Sequence, residues 1–278
     1  MIARILGLLL CCLAWWGHPL LAWGEEWGHS LPQWRSLGRG LGFAEVQVFL
    51  DGEVVEDLAV VKVDPANNAF RVFHHAPQSI TTWQEEIKAP VVFNASYYTP
   101  KGKPVGLIIV DGKPFGPRRN RQMRGMFVAE PKGMSPDLPR ATILDLAPSP
   151  IDPRKLPWTQ GVQSFPLLLD YKGRIRVANS EKTAHRTVIA TDRHGNILIF
   201  NTGNAFFTLH DFALFLKASA FEIDSALNLD GGTEAQLYIK MKDFEYFSPP
   251  AWKSRLGNIF ERQQFWLPTV IGVFPRRD

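Results

Sequence analysis

Short apolar runs broken by Gly, Pro, Asn and Asp dominate this chain, and few of them carry helical spacing. Residues 41–50 end in alternation: Val46, Val48 and Leu50 face one way, Glu45 and Gln47 the other, with Phe49 breaking the pattern. Asp51-Gly52 then turns into residues 54–63, so the pattern predicts two strands around a tight turn. Residues 70–74, 91–93, 106–110, 126–128, 161–169, 186–190 and 197–200 read as further strands, with another near Ile143. Asp111-Gly112 turns the strand before it, and residues 192–196 make a longer hairpin loop. A last strand closes the chain over residues 265–274.

Two stretches carry helical spacing. Ser79 is a suitable N-cap, Ile80, Trp83 and Ile87 then share a face, and Pro90 stops the helix. Thr208 caps a second helix with Asp211 in its first turn, a buried stripe at Phe212, Phe215 and Leu216, and an end near Ala220. Strands outnumber helices, and the helices do not alternate with them regularly. The expected fold class is therefore α+β, with mixed, largely antiparallel sheets and a few flanking helices in a single domain. Residues 25–40 show no clear period and read as an N-terminal lead-in to a domain spanning 41–278.

The most unusual stretch is Ala226-Leu227-Asn228-Leu229-Asp230-Gly231-Gly232-Thr233-Glu234, followed by the apolar run 237–239. It reads as strand, tight turn, strand. An ordinary Asp-Gly hairpin would look the same, but Asn228, Asp230, Thr233 and Glu234 bring more polar chemistry than a hairpin needs. The two glycines allow positive φ or the close approach of another group.

Composition adds little to this picture. Hydrophobic residues make up 45% and charged residues 21%, as in a folded soluble protein, and the net charge of +4 is too small to argue for nucleic-acid binding. Position changes more. Arg4, an apolar run over residues 5–16, and small residues Ala22 and Gly24 before a cut make residues 1–24 a signal peptide. A retained N-terminal anchor is the alternative. Both cysteines, Cys11 and Cys12, fall inside this segment. The mature chain is thus expected to be periplasmic or secreted, without disulfides, a catalytic thiolate, a cysteine-bound zinc or a stable transmembrane segment.

Several residue types point to sugar or phosphate chemistry. Asp230 and Glu234 are a candidate carboxylate pair of the sort glycosyl transfer uses. Asn94 and Asn228 each end an apolar strand, where an amide can orient hydroxyls or merely form a turn. Ser96 and Thr233 can donate hydrogen bonds. His185-Arg186-Thr187 enters a strand from a loop; Arg186 offers a planar fork for phosphate and His185 a proton carrier, although a structural ion pair is the commoner fate of such an arginine. Residues 113–124 hold Lys113, Arg118, Arg119, Arg121 and Arg124 and no acid, either a solvated loop or an anion-attracting rim. No cofactor is required by any motif. His74, His75 and His210 form no ligand pattern, but a calcium or magnesium ion held by Asp230 and main-chain carbonyls is compatible with the sequence.

Taken in order, Phe93-Asn94-Ala95-Ser96-Tyr97-Tyr98, Gly106-Leu107-Ile108-Ile109-Val110-Asp111-Gly112, Gly161-Val162-Gln163-Ser164-Phe165-Pro166, His185-Arg186-Thr187-Val188 and Asn228-Leu229-Asp230-Gly231-Gly232 resemble the phosphodiester glycosidase family. The likeness covers about residues 41–278. It implies a mixed α+β fold, hydrolysis of a sugar-1-phosphate diester, and a pocket containing Asn94, Arg186, Asn228, Asp230, Gly231 and Gly232. Two motifs depart from the family pattern. Ala95-Ser96 stand where paired glycines are usual, and Thr233-Glu234-Ala235-Gln236 where glycine and serines are usual. The chemistry expected is release of an anomeric phosphate, with Arg186 and the basic loop contacting the phosphate, Asp230 stabilising a positive sugar carbon, and Glu234 activating water. The substrate class is a sugar phosphate or an envelope glycan. The competing expectations are a non-catalytic periplasmic module that binds a glycan or partner, and a metal-dependent phosphodiesterase.

Overall fold

A computed structural model describes residues 26–277, apart from 118–119, 134–136, 149–151, 153–154 and 256–264. The signal-peptide segment with Cys11 and Cys12, and Arg118 and Arg119 of the basic loop, therefore lie outside the described residues. Strand accounts for 48% and helix for 11%, which makes the fold mostly β, richer in strand than the α+β expectation. The difference comes from strand length: the runs read as short strands extend well past their apolar cores, as at Asn68–Gln78 and Gly125–Pro131.

Every pairing in the three sheets is antiparallel. The first sheet runs β1 (Trp27–His29), β3 (Leu41–Leu50), β4 (Glu53–Val63), β14 (Ile197–Thr202), β13 (Thr187–Asp192), β15 (Ile223–Asn228), β12 (Leu167–Leu169), with β2 (Arg35–Gly38) also on β3. The N-terminal lead-in, though without a clear period, supplies β1 and β2, which pair with β3 in this sheet. The second sheet runs β10 (Ala141–Asp145), β9 (Gly125–Pro131), β11 (Trp158–Ser164), β7 (Ile108–Val110), β8 (Lys113–Phe115). The third runs β17 (Phe244–Ser248), β16 (Leu237–Met241), β6 (Val91–Asn94), β18 (Leu267–Pro275), β5 (Asn68–Gln78).

One core lies where the three sheets face each other. It takes Phe43 and Val61 from the first sheet, Phe127 and Val162 from the second, and Phe93 and Ile271 from the third. The pleat sends alternate residues to opposite faces. Ile189 and Ile199 thus enter the central core, while Val188, Leu198 and Phe200 pack under α2 (Leu209–Ala218) through Phe212, Phe215 and Leu216. Strands buried on both faces read as continuous apolar runs, which is why residues 186–190 and 197–200 lack alternation. Helix α1 (Ile80–Ile87) covers the outer face of the third sheet with Ile80 and Trp83, joined by Trp252 of α3 (Pro250–Arg255).

The expected caps are in place. Ser79 Oγ accepts from Thr82 N at 3.1 Å, and Thr208 Oγ1 from Asp211 N at 3.1 Å. Asp111 and Gly112 take φ of 47° and 77° in the turn between β7 and β8. The glycine bend at 230–232 behaves otherwise. Strands β15 and β16 belong to different sheets, so the segment between them is a crossing from the first sheet to the third and not a hairpin. It holds a single 3-10 turn over Gly232–Glu234. Among the described residues, no helix is long and apolar enough to cross a membrane.

Candidate active site

Two crossings between sheets meet at one place. Ser164 ends β11 in the second sheet, and Leu167 begins β12 in the first, with a cis Phe165-Pro166 bond between them. The 230–236 crossing lies against them. Ser164 Oγ donates to Asn228 O at 2.7 Å, Asn228 N donates to Pro166 O at 3.0 Å, and Asn228 Nδ2 reaches Phe165 O at 3.2 Å. Asn94, at the end of β6 in the third sheet, closes the junction.

Asn94 is a strut. It is buried, its Nδ2 donates to Asp230 O at 2.9 Å and Ala95 O at 3.2 Å, and its Oδ1 accepts from Thr187 Oγ1 at 2.6 Å and Gln236 N at 3.1 Å. Both amide hydrogens and both lone pairs are thereby used inside the protein. Thr187 is equally committed, accepting from Asn201 Nδ2 at 2.8 Å. Asp230 N also donates to Ala95 O at 3.1 Å, so the backbone of the bend is held from both sides.

The bend presents Asp230. Its Oδ1 accepts from Gly231 N at 2.9 Å. Burial, helped by the neighbouring Glu234 charge and opposed by the Gly231 N–H, pushes the Asp230 carboxyl up to about 7. Glu234 is gripped by two hydroxyls, Thr233 Oγ1 at 2.9 Å and Tyr98 Oη at 3.3 Å. The Tyr97 phenol donates to Phe165 O at 3.0 Å and accepts from Asn228 Nδ2 at 2.9 Å. Burial and then the Asp230 charge raise the pKa of Tyr97, while the Arg186 charge pulls it down, so this ring lies within reach of both fields.

Arg186 is 7% exposed. Among the described residues its guanidinium makes one hydrogen bond, Nη2 to Lys182 O at 2.9 Å, and its buried Nε finds no acceptor. Among the described residues no carboxylate forms an ion pair with it. Burial alone lowers its pKa, with Tyr97 acting in the opposite sense. The two glycines serve this packing. A Cβ at Gly231 would stand 3.0 Å from His185 O and 3.5 Å from Arg186 Nη1, and Gly232 takes φ of 72° with its N–H on His185 O at 2.9 Å. The His185 ring packs edge-on against Trp252, with centroids 4.6 Å apart.

Other buried polar atoms here also lack a partner among the described residues: Ser96 Oγ, Asn228 Oδ1 and Gln236 Oε1. Buried polar groups are nearly always satisfied, so a cluster of exceptions marks a place where a polar ligand completes the set. All eleven residues singled out from the sequence, Asn94, Ser96, His185, Arg186, Thr187, Asn228, Asp230, Gly231, Gly232, Thr233 and Glu234, are in or against this junction. Five of its members went unselected: Tyr97, Tyr98, Ser164, Gln236 and Asn201. The polar pair Gln163-Ser164 inside an apolar run was the available signal. Gln163 Nε2 donates to Asn120 O at 3.0 Å and Met123 O at 2.8 Å, which ties the foot of the basic loop two residues from Phe165. No group of three His, Cys, Asp or Glu side chains gathers among the described residues, and the Asp230 carbonyl is already bonded to Asn94.

The same architecture occurs in solved structures. A hypothetical protein from Synechocystis superposes with a TM-score of 0.58 at 15% identity, over 91% of this chain and 68% of that one. The catalytic domain of zebrafish N-acetylglucosamine-1-phosphodiester alpha-N-acetylglucosaminidase, auto-inhibited by its pro-peptide, superposes with a TM-score of 0.58 at 16% identity, over 90% of this chain and 88% of that one. Identities this low establish the shared fold alone. No curated protein matches in sequence. A sequence model of the phosphodiester glycosidase family does match, over residues 88–274, a span that runs from three residues before β6 and its Asn94 through the Asp-Gly-Gly bend into β18. By that match, which takes in about two thirds of the chain, this protein belongs to the phosphodiester glycosidase family.

Proposed function

We propose that the protein is an exported hydrolase that cleaves a glycosyl phosphodiester, or a related envelope glycan linkage, between the anomeric carbon and the phosphate oxygen. One observation carries the reading: a buried guanidinium, Arg186, without a carboxylate partner among the described residues, stands at the bend that presents Asp230. A buried unpaired cation is costly, and a phosphate dianion or diester oxygen is the ligand that best satisfies its planar fork.

The roles follow from chemistry. Phosphate is a good leaving group, so the enzyme has less need to protonate it than to hold its charge, and Arg186 is the group for that task. Water attacks the anomeric carbon, the C–O bond to phosphate breaks with its electron pair on the phosphate, and a base takes the proton of the water. Asp230, with its proton affinity near neutrality, suits that base better than Glu234. Glu234, fixed by Tyr98 and Thr233, keeps the Asp230 field negative and orients the bend. Ser96 Oγ, Asn228 Oδ1 and Gln236 Oε1 are the free polar atoms for sugar hydroxyls. Asn94 and Thr187 position the bend without touching substrate. The signal-like residues 1–24 support a periplasmic or secreted location; N-terminal sequencing of the exported protein should begin near residue 25.

The test is hydrolysis of a panel of sugar-1-phosphate diesters in ¹⁸O-labelled water. The label is expected in the sugar, and Asp230→Asn is expected to lower kcat/KM by about 10²–10⁴. Arg186→Gln is expected to cost about 10²–10³ and to lose inhibition by inorganic phosphate. Label in the phosphate, or an unchanged rate in Asp230→Asn, overturns this mechanism. Saturable binding without turnover would favour the binding-module reading, for which the exposed Phe165 and Trp266 beside the site offer stacking surfaces.

A further inference from the structure

The far end of the third sheet carries a second concentration of charge. A hollow of about 1120 Å³ opens there, between the ends of β5 and β18 on one side and the β7–β8 and β9–β10 connections on the other. Arg71, Lys88, Arg140, Arg276 and Arg277 line it, against two carboxylates, Asp111 and Glu130. Both acids are already engaged. Glu130 takes Arg276 in a two-pronged pair at 2.7 and 2.8 Å, and Asp111 Oδ1 accepts from the buried Gln160 Nε2 at 2.8 Å. The other four cations have no carboxylate partner among the described residues, and Arg71 is laid across the Phe274 ring at 5.6 Å.

The backbone is unusual at the same place. Five non-glycine residues of the described chain adopt positive φ: Asp51, Lys88, Asp111, Glu130 and Glu222. Three of them line this one hollow. Lys88 is an ordinary left-handed helix cap and Asp111 an ordinary hairpin turn. Glu130, with φ of 59° inside β9, has neither excuse. Its position lets the carboxylate reach both Arg276 and the Phe70 N–H at 3.2 Å, which fixes β5 to β9 and shapes the cationic wall. Local strain of this kind gathers where a ligand is held.

We infer that this hollow is a second anion site, which binds a phosphate-bearing polymer and is separate from the Asp230 centre. The two lie at opposite ends of β6: Lys88 precedes it by the hollow, and Asn94 ends it at the bend, roughly 13 Å of extended strand away. The volume exceeds that of a single phosphate and matches a ligand of several units. A concave basic wall concentrates the field and favours multiply charged chains over single ions. Arginine forks favour phosphate oxygens in particular. The inference does not require the protein to hydrolyse anything.

The test is calorimetric titration of the full chain with inorganic tripolyphosphate at low ionic strength. Arg186→Gln is the background, so that the Asp230 centre does not contribute. One equivalent is expected to bind, and Arg71→Gln with Arg140→Gln is expected to weaken it about tenfold or more. Lys217→Gln with Lys240→Gln, two exposed cations elsewhere, controls for net charge. Arg71, Arg140, Lys217 and Lys240 are surface positions, and melting temperatures that match the Arg186→Gln background will confirm folding. The inference is overturned if the Arg186→Gln protein binds no tripolyphosphate, if Arg71→Gln with Arg140→Gln binds it as well as the background, or if the control pair loses as much. Hydrolysis of a small soluble diester by Arg71→Gln with Arg140→Gln is expected to stay within about twofold of wild type, since neither residue reaches the bend.

Discussion

Replacing Asp230 by asparagine is expected to stabilise the protein above neutral pH while removing its base. The carboxyl rises from 3.8 in the open chain to about 7 at the bend, chiefly through burial. A raised folded-state pKa means that folding favours the protonated form. The full stability is present below the unfolded pKa and is lost as pH climbs through the folded one. Three units correspond to about 4 kcal/mol, and partial exposure reduces this to about 2–4 kcal/mol. Asparagine keeps an oxygen for the Gly231 N–H and carries no charge. Urea unfolding of both proteins at about pH 5 and about pH 8 measures the gap. The Asp230→Asn advantage is expected to grow by about 2–3 kcal/mol between the two conditions. Other titrating groups cancel in the difference. A gap that stays constant with pH would show that Asp230 is ionised as freely in the fold as out of it, and its role as a near-neutral base would fail with that result. In the pH profile of kcat/KM the same group gives a rise of tenfold per unit, levelling near pH 7.

Asn94→Ala removes four buried hydrogen bonds at once and leaves Thr187 Oγ1 and Gln236 N without acceptors; a loss of about 3–5 kcal/mol is expected in urea unfolding, with activity falling in the folded fraction too. Gly231→Ala places a methyl group 3.0 Å from His185 O beside Arg186, and its φ of −123° brings no backbone strain. It is expected to raise KM by tenfold or more while stability drops by less than about 2 kcal/mol. Glu56 is buried, accepts from Asn204 N, Phe206 N and Asp57 N, and is pushed up to about 7 by burial against those donors. Glu56→Gln sets an amide N–H against a backbone N–H and is expected to cost about 1–2 kcal/mol at about pH 5. The loss shrinks toward pH 8, where wild type carries the cost of the buried charge. A larger loss at high pH would contradict this.

Much of the fold was legible because local rules held. Asp111-Gly112 turned where the dipeptide said, and Ser79 and Thr208 capped their helices because a hydroxyl there meets an orphan N–H. Residues 25–40 misled because an edge strand needs partners more than periodicity: β1 and β2 take their register from β3. Sheet membership was not legible at all. Nothing in Asn228-Leu229-Asp230-Gly231-Gly232 distinguishes a hairpin from a crossing, since the difference lies in which distant strand, β6, is waiting to receive β16.

That crossing explains why side chains so far apart in sequence converge on one acid. A hairpin would have left Asp230 at a sheet edge, open to water and ionised in the ordinary range. A passage from one sheet to another must instead traverse the seam where both sheets and the end of β11 abut. There the backbone finds partners from all three, supplied by Asn94 and Ala95 of the third sheet, Thr187 of the first and Ser164 of β11. The burial that raises the proton affinity of Asp230 is thus a consequence of topology. So is the approach of the bend to Arg186, because β13 is the neighbour of β15 and begins where β15 ends. A transplant of the 228–236 segment onto a two-stranded hairpin would carry every one of its residues and none of this chemistry.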